Sequence, residues 1–420
     1  MKNDIVVGLD IGSNSIKLVI GQHKGEFSDG RLSVIGAVSC PSAGIGKGGM
    51  INSIEDVVSS LSACLEKAER LVGLPISSVW LSFNNSKIKY EKTKGVAIIS
   101  KNDGEIDYSD IERAIDSAKS FPVPNNYEII DSIPVRYNID SNEDVKSPIG
   151  MNGVRLEVEV LVVLALSGQI NNLIKIVHRA NLDIDGLLLP PLSLSSSFLN
   201  SKERELGSAV VDIGATTTSL AVYEDGNLLH LAVLPIGSEH ITSDIALGLK
   251  CPISLAEKIK IQFGDADSEN CDDDEEVDIR PLLKDENVDD LEFISKKYLS
   301  QIIEARVEEI FSMVDNELKK INRSRILPVG VFLSGGGILI KNIQKVAKKV
   351  LALPVTMINV NALKLEVDKA QSPEFFTSLS LLVASQQENG GKDRRVNFFK
   401  NNFKGIIDGV GGFLKKIMPK

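Results

Sequence analysis

The tripeptide Asp-Ile-Gly occurs at residues 10–12 and again at 212–214, each time closing an apolar run and opening a stretch of small polar residues. The first copy supplies Asp10, Gly12, Ser13, Asn14, Ser15 and Lys17, and the second supplies Asp212, Gly214, Ala215, Thr216 and Thr217. These residue types suit a phosphate: glycine lets backbone amides approach an anion, hydroxyls add donors, and lysine adds a point charge. A carboxylate at each strand end, Asp10 and Asp212, can hold a hydrated magnesium ion that bridges two phosphate oxygens. A third glycine loop, Gly335, Gly336 and Gly337, follows the apolar run VGVFL, and its glycines let a flat base pack against the backbone. One such turn alone is ordinary β-turn chemistry. Two copies about 200 residues apart, with a third glycine loop, point to a nucleotide clamped from both sides.

The flanking patterns say what positions these loops. Residues 4–21, DIVVGLDIGSNSIKLVIG, and 207–226, GSAVVDIGATTTSLAVYEDG, each read as strand, tight turn and antiparallel strand, which predicts a chain built as two related halves. Helical spacing predicts helices over 52–72, with an Asn or Ser cap, over 109–119 and 168–181, and a long amphipathic one over 294–322. SEHITSDIALGL and SLAEKIKIQFG also read as helices, and VWLSF at 79–83 as a strand. The region 84–159 has a texture of its own, with short strands KIKYEK, GVAIIS and EIIDSIPVRYNI, and reads as an inserted subdomain; RLEVEVLVVLAL at 155–166 is a strand that ends fully buried. Residues 265–278 hold nine Asp or Glu and no glycine, so they read as a solvated, flexible loop rather than a calcium loop.

Composition excludes several classes. The 420 residues are 43% hydrophobic and 25% charged, which fits a globular protein of two or three domains. A formal charge of -10 has the wrong sign for a surface that grips nucleic acid. Cys40, Cys64, Cys251 and Cys271 are too scattered for a zinc site or a disulfide framework, so a reducing compartment is expected. Asp4 and Asp10 interrupt the first apolar run, which argues against a signal peptide or membrane span there.

The loops resemble those of the actin, hexokinase and heat-shock chaperone superfamily: DIGSNSIK its first phosphate loop, VVDIGATTT its second and LSGGGILI its adenosine motif. Glu257 and Lys260 are spaced like the glutamate and lysine that touch adenosine in its chaperone and bacterial-actin branches. EIIDSIPVRYNID followed by SPIGMNGVRLEVEVLVV resembles the small subdomain peculiar to the bacterial cell-division FtsA family. IIEARVEEI, with Arg306 and Glu309, is similar to that family's helix in the subdomain that receives the FtsZ tail peptide. The resemblance implies an α/β, actin-like two-domain fold with duplicated nucleotide-binding cores and the FtsA-type insertion. It implies subdomain IA at 1–83 and 160–205, IC at 84–159, IIA at 206–235 and 320–385, and IIB at 236–319, with ATP and magnesium in the cleft. Between Leu187 and Phe198 there is no Gln, Glu or His to orient a water, and Gln169, the nearest upstream, reads as facing a helix end. No catalytic residue is therefore assigned, and at most weak ATP hydrolysis is expected.

Residues 386–402 read as a linker, and 403–420 as an amphipathic helix with Ile406, Val410, Phe413, Leu414 and Ile417 on one stripe. From 400 to 420 five lysines, Lys415 and Lys416 among them, face one aspartate, the pattern of an interfacial helix drawn to anionic lipid. The reading that results is a peripheral protein on the cytoplasmic face of the inner membrane at the division site. It would polymerise, anchor FtsZ filaments and meet other division proteins but no nucleic acid. The competing readings are a PilM-like type IV pilus adaptor and a small-molecule kinase, the latter lacking a motif for a catalytic base.

Overall fold

The computed structural model describes residues 5–23, 32–101, 103–285, 291–360 and 363–389. The expected membrane residues Ile406, Val410, Phe413, Leu414, Lys415, Lys416 and Ile417 lie outside the described residues. The strands are β1 (Ile5–Ile11), β2 (Ser15–His23), β3 (Leu32–Pro41), β4 (Ser78–Ser82), β5 (Lys89–Ile98), β6 (Tyr127–Ile139), β7 (Asn142–Val145), β8 (Arg155–Leu166) and β9 (Asp183–Leu188). There follow β10 (Ser208–Ile213), β11 (Thr218–Glu224), β12 (Asn227–Leu234), β13 (Glu276–Asp278), β14 (Phe293–Ser295), β15 (Gly330–Ser334), β16 (Val355–Met357) and β17 (Lys364–Leu365). The helices are α1 (Ile54–Val72), α2 (Tyr108–Ala118), α3 (Ser167–Arg179), α4 (Pro190–Phe198), α5 (Ser201–Leu206), α6 (Ser238–Leu249), α7 (Ile253–Phe263), α8 (Lys296–Lys320), α9 (Ile343–Leu351) and α10 (Phe376–Asn389).

The two halves repeat each other strand for strand. The first sheet runs β17-β3-β2-β1-β4-β9 and the second β12-β11-β10-β15-β16. In each, a leading hairpin is antiparallel (β1 with β2, β10 with β11) and the next strand joins parallel (β4 on β1, β15 on β10). The turns match at the level of single bonds: Gly12 N donates to Ser15 O at 3.1 Å, and Gly214 N to Thr217 O at 2.9 Å. Strands buried on both faces explain the near-continuous apolar runs, since helices cover each sheet.

Helix ends follow local chemistry. Ser53 caps α1 by accepting from Asp56 N, and Gly73 closes it at φ 70°, a left-handed position that glycine takes without steric cost. The long α8 buries Ile303, Val307, Ile310, Phe311, Val314 and Leu318 along one side. Together with α9 and the second sheet these form one core, while a second core joins the first sheet to α1 and α3.

Five sequence readings change. KIKYEK and GVAIIS are one continuous strand, β5, because Gly95 sits inside it against α2 rather than ending it. The inserted sheet, β5-β8-β6-β7, uses β8 through Leu166, paired with Tyr127, so the insertion reaches past the expected boundary at 159. Residues 363–389, expected in the second half, return to the first: β17 pairs with β3, and α10 packs on β1, β2, β4 and α4. The same helix runs on to Asn389, into the start of the expected linker. Finally, 265–278 is not a free loop: Asp265 and Asp267 are buried, paired with Lys341 and Lys345, and β13 pairs with β14. Their partners lie at and on α9, out of reach of a local charge reading.

Candidate functional site

Both Asp-Ile-Gly turns stand at the carboxyl ends of parallel strand pairs, the edge where open α/β sheets bind ligands. The two sheets present these edges to one another across a cavity of about 380 Å³. Asp10, Gly12, Ser13, Asn14, Ser15 and Lys17 line it from the first turn. Asp212, Gly214, Ala215, Thr216 and Thr217 line it from the second, and Glu257, Lys260, Gly336 and Gly337 line its other end. Gly335 alone of the expected cofactor residues does not line the cavity. It stands at φ 91°, where a Cβ would lie 2.4 Å from Ile213 O, so its part is to let the chain turn against β10. The turns touch across the cleft: Ser13 Oγ and Thr216 Oγ1 are 2.9 Å apart.

Asp212 is 7% exposed, and its Oδ1 has no hydrogen-bond partner. Burial and the charge of Asp10 push its carboxyl up to about 6, against the opposing pull of Ser334 and Lys17. Ser334 lies beside Asp212 in the parallel register, and Ser82 stands likewise to Asp10, to which its hydroxyl donates. An unpaired buried carboxylate oxygen facing a second carboxylate calls for a cation. An all-oxygen pair suits magnesium, which takes one or two carboxylates and completes its shell with water and phosphate. No group of three or more His, Cys, Asp or Glu side chains that could hold a metal ion occurs among the described residues.

Glu257 and Lys260 form a 2.6 Å ion pair in which Lys260 is only 8% exposed, held also by Thr242 Oγ1 at 2.7 Å. This is a built corner of the cavity rather than a solvated pair on a helix surface. Ile261 and Leu339, both exposed on its rim, add apolar surface there.

Sequence reasoning missed several lining residues: Ser82 and Asn84 after β4, Gly49 in the loop after β3, and Glu374 and Thr377 from the returning segment. Ser82 and Asn84 had a usable signal, since a strand parallel to β1 must end at the same edge. Asn84 Nδ2 reaches Thr217 and Ser219 across the cleft at 3.4 and 3.5 Å. Arg306 and Glu309 lie on α8 away from the cavity, and Arg306 holds Asp244 of α6 with two bonds, one of 2.9 Å. A larger cavity of about 790 Å³ lies between the inserted sheet, α4 and α5, and contains none of the expected site residues. On its wall, burial pushes Asp131 up to about 8. No helix of the described residues is long and apolar enough to cross a membrane.

Comparison with known proteins supplies the family. Residues 209–380 match the family model "Cell division protein FtsA", and residues 85–164 match "SHS2 domain inserted in FTSA". The FtsA of Bacillus subtilis (strain 168) is 31% identical over 396 residues, covering 94% of this chain and 87% of that protein. The FtsA of Escherichia coli (strain K12) is 32% identical over 428 residues, covering 98% and 96%. Among solved structures, the PilM-PilN type IV pilus biogenesis complex superposes with a TM-score of 0.65 at 17% identity, covering 91% of this chain and 98% of that one. MreB5 of Spiroplasma citri bound to ADP superposes with a TM-score of 0.51 at 12% identity, covering 93% and 99%. These structural likenesses establish the actin-like fold, and the sequence relatives go further: the chain belongs to the FtsA family of bacterial cell-division proteins.

Proposed function

We propose that the chain binds magnesium-ATP in the cleft, polymerises, and tethers FtsZ filaments to the cytoplasmic face of the inner membrane during division. The observation that carries the nucleotide half is the pair of facing Asp-Ile-Gly turns, with the unpaired Asp212 oxygen between them. In this reading Gly12, Ser13, Gly214 and Thr216 bind the phosphates, and Asp10 and Asp212 hold the magnesium ion, whose chemistry is to neutralise phosphate charge. Glu257, Lys260, Gly336 and Gly337 hold the nucleoside, and Gly335 shapes the turn that presents them. No side chain with a base's chemistry stands in 187–198, so ATP serves as a conformational and assembly ligand with slow turnover.

The membrane half rests on the charge of residues 400–420 and their apolar stripe. One short helix binds a bilayer weakly, and a filament multiplies it by avidity. Subdomains IA and IIA are assigned to the two repeated sheets, IC to the insertion and IIB to α6 through α8. Arg306 and Glu309 would meet the FtsZ tail. The test is co-sedimentation of an FtsZ C-terminal peptide with anionic liposomes, comparing the full chain with one ending at Gln387, each with and without ATP. Peptide carried down by the full chain alone supports the tether. If neither chain brings down peptide or membrane, the reading fails and a pilus-type adaptor becomes the better account.

A further inference from the structure

The loop that joins β3 to α1 puts Ile45 and Gly49 on the wall of the nucleotide cavity. It is gripped at three points. Gln169, in the first turn of α3, takes the backbone of Ile51 from both sides: its Oε1 accepts from Ile51 N at 2.8 Å, and its Nε2 donates to Ile51 O at 3.5 Å. Ser86 N donates to Gly48 O at 2.9 Å. At the tip, Gly49 N donates to Thr216 Oγ1 at 3.2 Å, the same hydroxyl that meets Ser13. The loop packs closely at its tip: Gly48 and Gly49 both have positive φ, and a Cβ on Gly49 would lie 2.6 Å from Asn84 O.

The first two grips come from the two places where the chain enters and leaves the insertion. Ser86 precedes the start of β5 by three residues, and Gln169 follows the end of β8 by three. We propose that Gln169 is a positioning residue that fixes residues 44–51 as the closing wall of the phosphate end, so that occupancy there is passed to both chain crossings of the inserted subdomain. This rests on the nucleotide reading and adds to it the route by which phosphate is felt. The hydroxyls of Ser13 and Thr216 and the amide of Gly49 are bonded among themselves. An anion between the turns is a stronger acceptor and competes for all three donors. Gly49 can follow it only while Ile51 is held.

Gln169→Leu removes both bonds at similar volume, and Gln169→Glu keeps the acceptor for Ile51 N. Amide exchange of residues 44–51 and 84–88, with and without magnesium-ATP, is read beside the dissociation rate of a fluorescent ATP analogue. In the parent, ATP slows exchange at both segments. In Gln169→Leu, exchange at 44–51 quickens and ATP leaves about fivefold faster, the effect of losing one neutral hydrogen bond. Gln169→Glu stays within about twofold of the parent, since the shorter bond remains. Unchanged ATP dissociation in Gln169→Leu, or unchanged exchange at 44–51, overturns the proposal while leaving ATP binding intact. A parent that retains no ATP at all overturns the nucleotide reading, and this proposal with it.

Discussion

Asp212 carries the clearest tension in the molecule, because the burial that leaves its Oδ1 open to a proposed cation also makes its charge costly. Its folded value of about 6 lies above the ordinary carboxylate value near 4, so the folded chain holds that proton more tightly than the unfolded one. The carboxyl therefore supports the fold fully below about pH 4 and loses that support as pH rises through 6, a difference of up to about 3 kcal/mol. Asp212→Asn is expected to melt above the parent at pH 8 without nucleotide, to match it near pH 4, and to lose retention of magnesium-ATP. Thermal unfolding at the two pH values checks the first part and nucleotide binding the second; equal melting at pH 8 would remove the argument. Arg306 is the other residue whose state matters, since its guanidinium already holds Asp244. If a carboxylate of the FtsZ tail peptide meets it, Asp244→Asn should strengthen peptide binding roughly threefold and Arg306→Glu should weaken it, both measurable by fluorescence anisotropy. That the two turns would line one cavity was legible because each carries its small polar residues within eight positions. Ser82 and Ser334 were not: a serine at a strand end signals nothing until the parallel register sets it beside an aspartate.

Elements were legible where the deciding forces were local and illegible where they were not. Ser53 and Gly73 bracket α1 by capping chemistry that any sequence displays. Gly95 misled, because glycine in a polar strand reads as punctuation, whereas here it marks a close approach. A Cβ at Gly95 would lie 1.9 Å from Ala114 O and 2.5 Å from Ala118 N, both backbone atoms of α2. Gly95→Ala must push α2 off the inserted sheet, costing about 2–3 kcal/mol. The change should appear as protease cutting within 85–164 with ATP retention unaltered, and a variant as resistant as the parent would show that α2 has room to move. The acidic stretch failed as a local reading for the opposite reason. Its buried members, Asp265 and Asp267, are stabilised by lysines that only the folded chain brings near.

At the scale of the whole chain, duplication foretold two sheets but not how they are joined. The returning segment does that work. Phe375 is fully buried in a third core that gathers Val19 and Leu194 from the first half with Val210 from the second, together with Leu379 and Leu382 of α10. The same segment sends Glu374 and Thr377 to the cavity between the two Asp-Ile-Gly turns, so the joint and the proposed ligand site share a strap. No periodicity in 363–389 announces this, because a helix packed at once on β1, β2, β4 and α4 has no single apolar face to display. Phe375→Ala should cost about 3–5 kcal/mol, as for a large buried aromatic, but the loss should fall on the joint between halves. Calorimetry of the parent is expected to give one cooperative transition, and the variant two, since one core lies wholly in the second half and the other draws only Ala221, Tyr223, Leu228 and Leu231 from it. Saturating magnesium-ATP at about a hundred times its Kd adds roughly 2.7 kcal/mol to whatever state binds it. Because the ligand touches both halves, it should draw the two transitions of the variant back together. A single transition merely shifted downward would mean that Phe375 stabilises one half alone and that the halves are joined elsewhere.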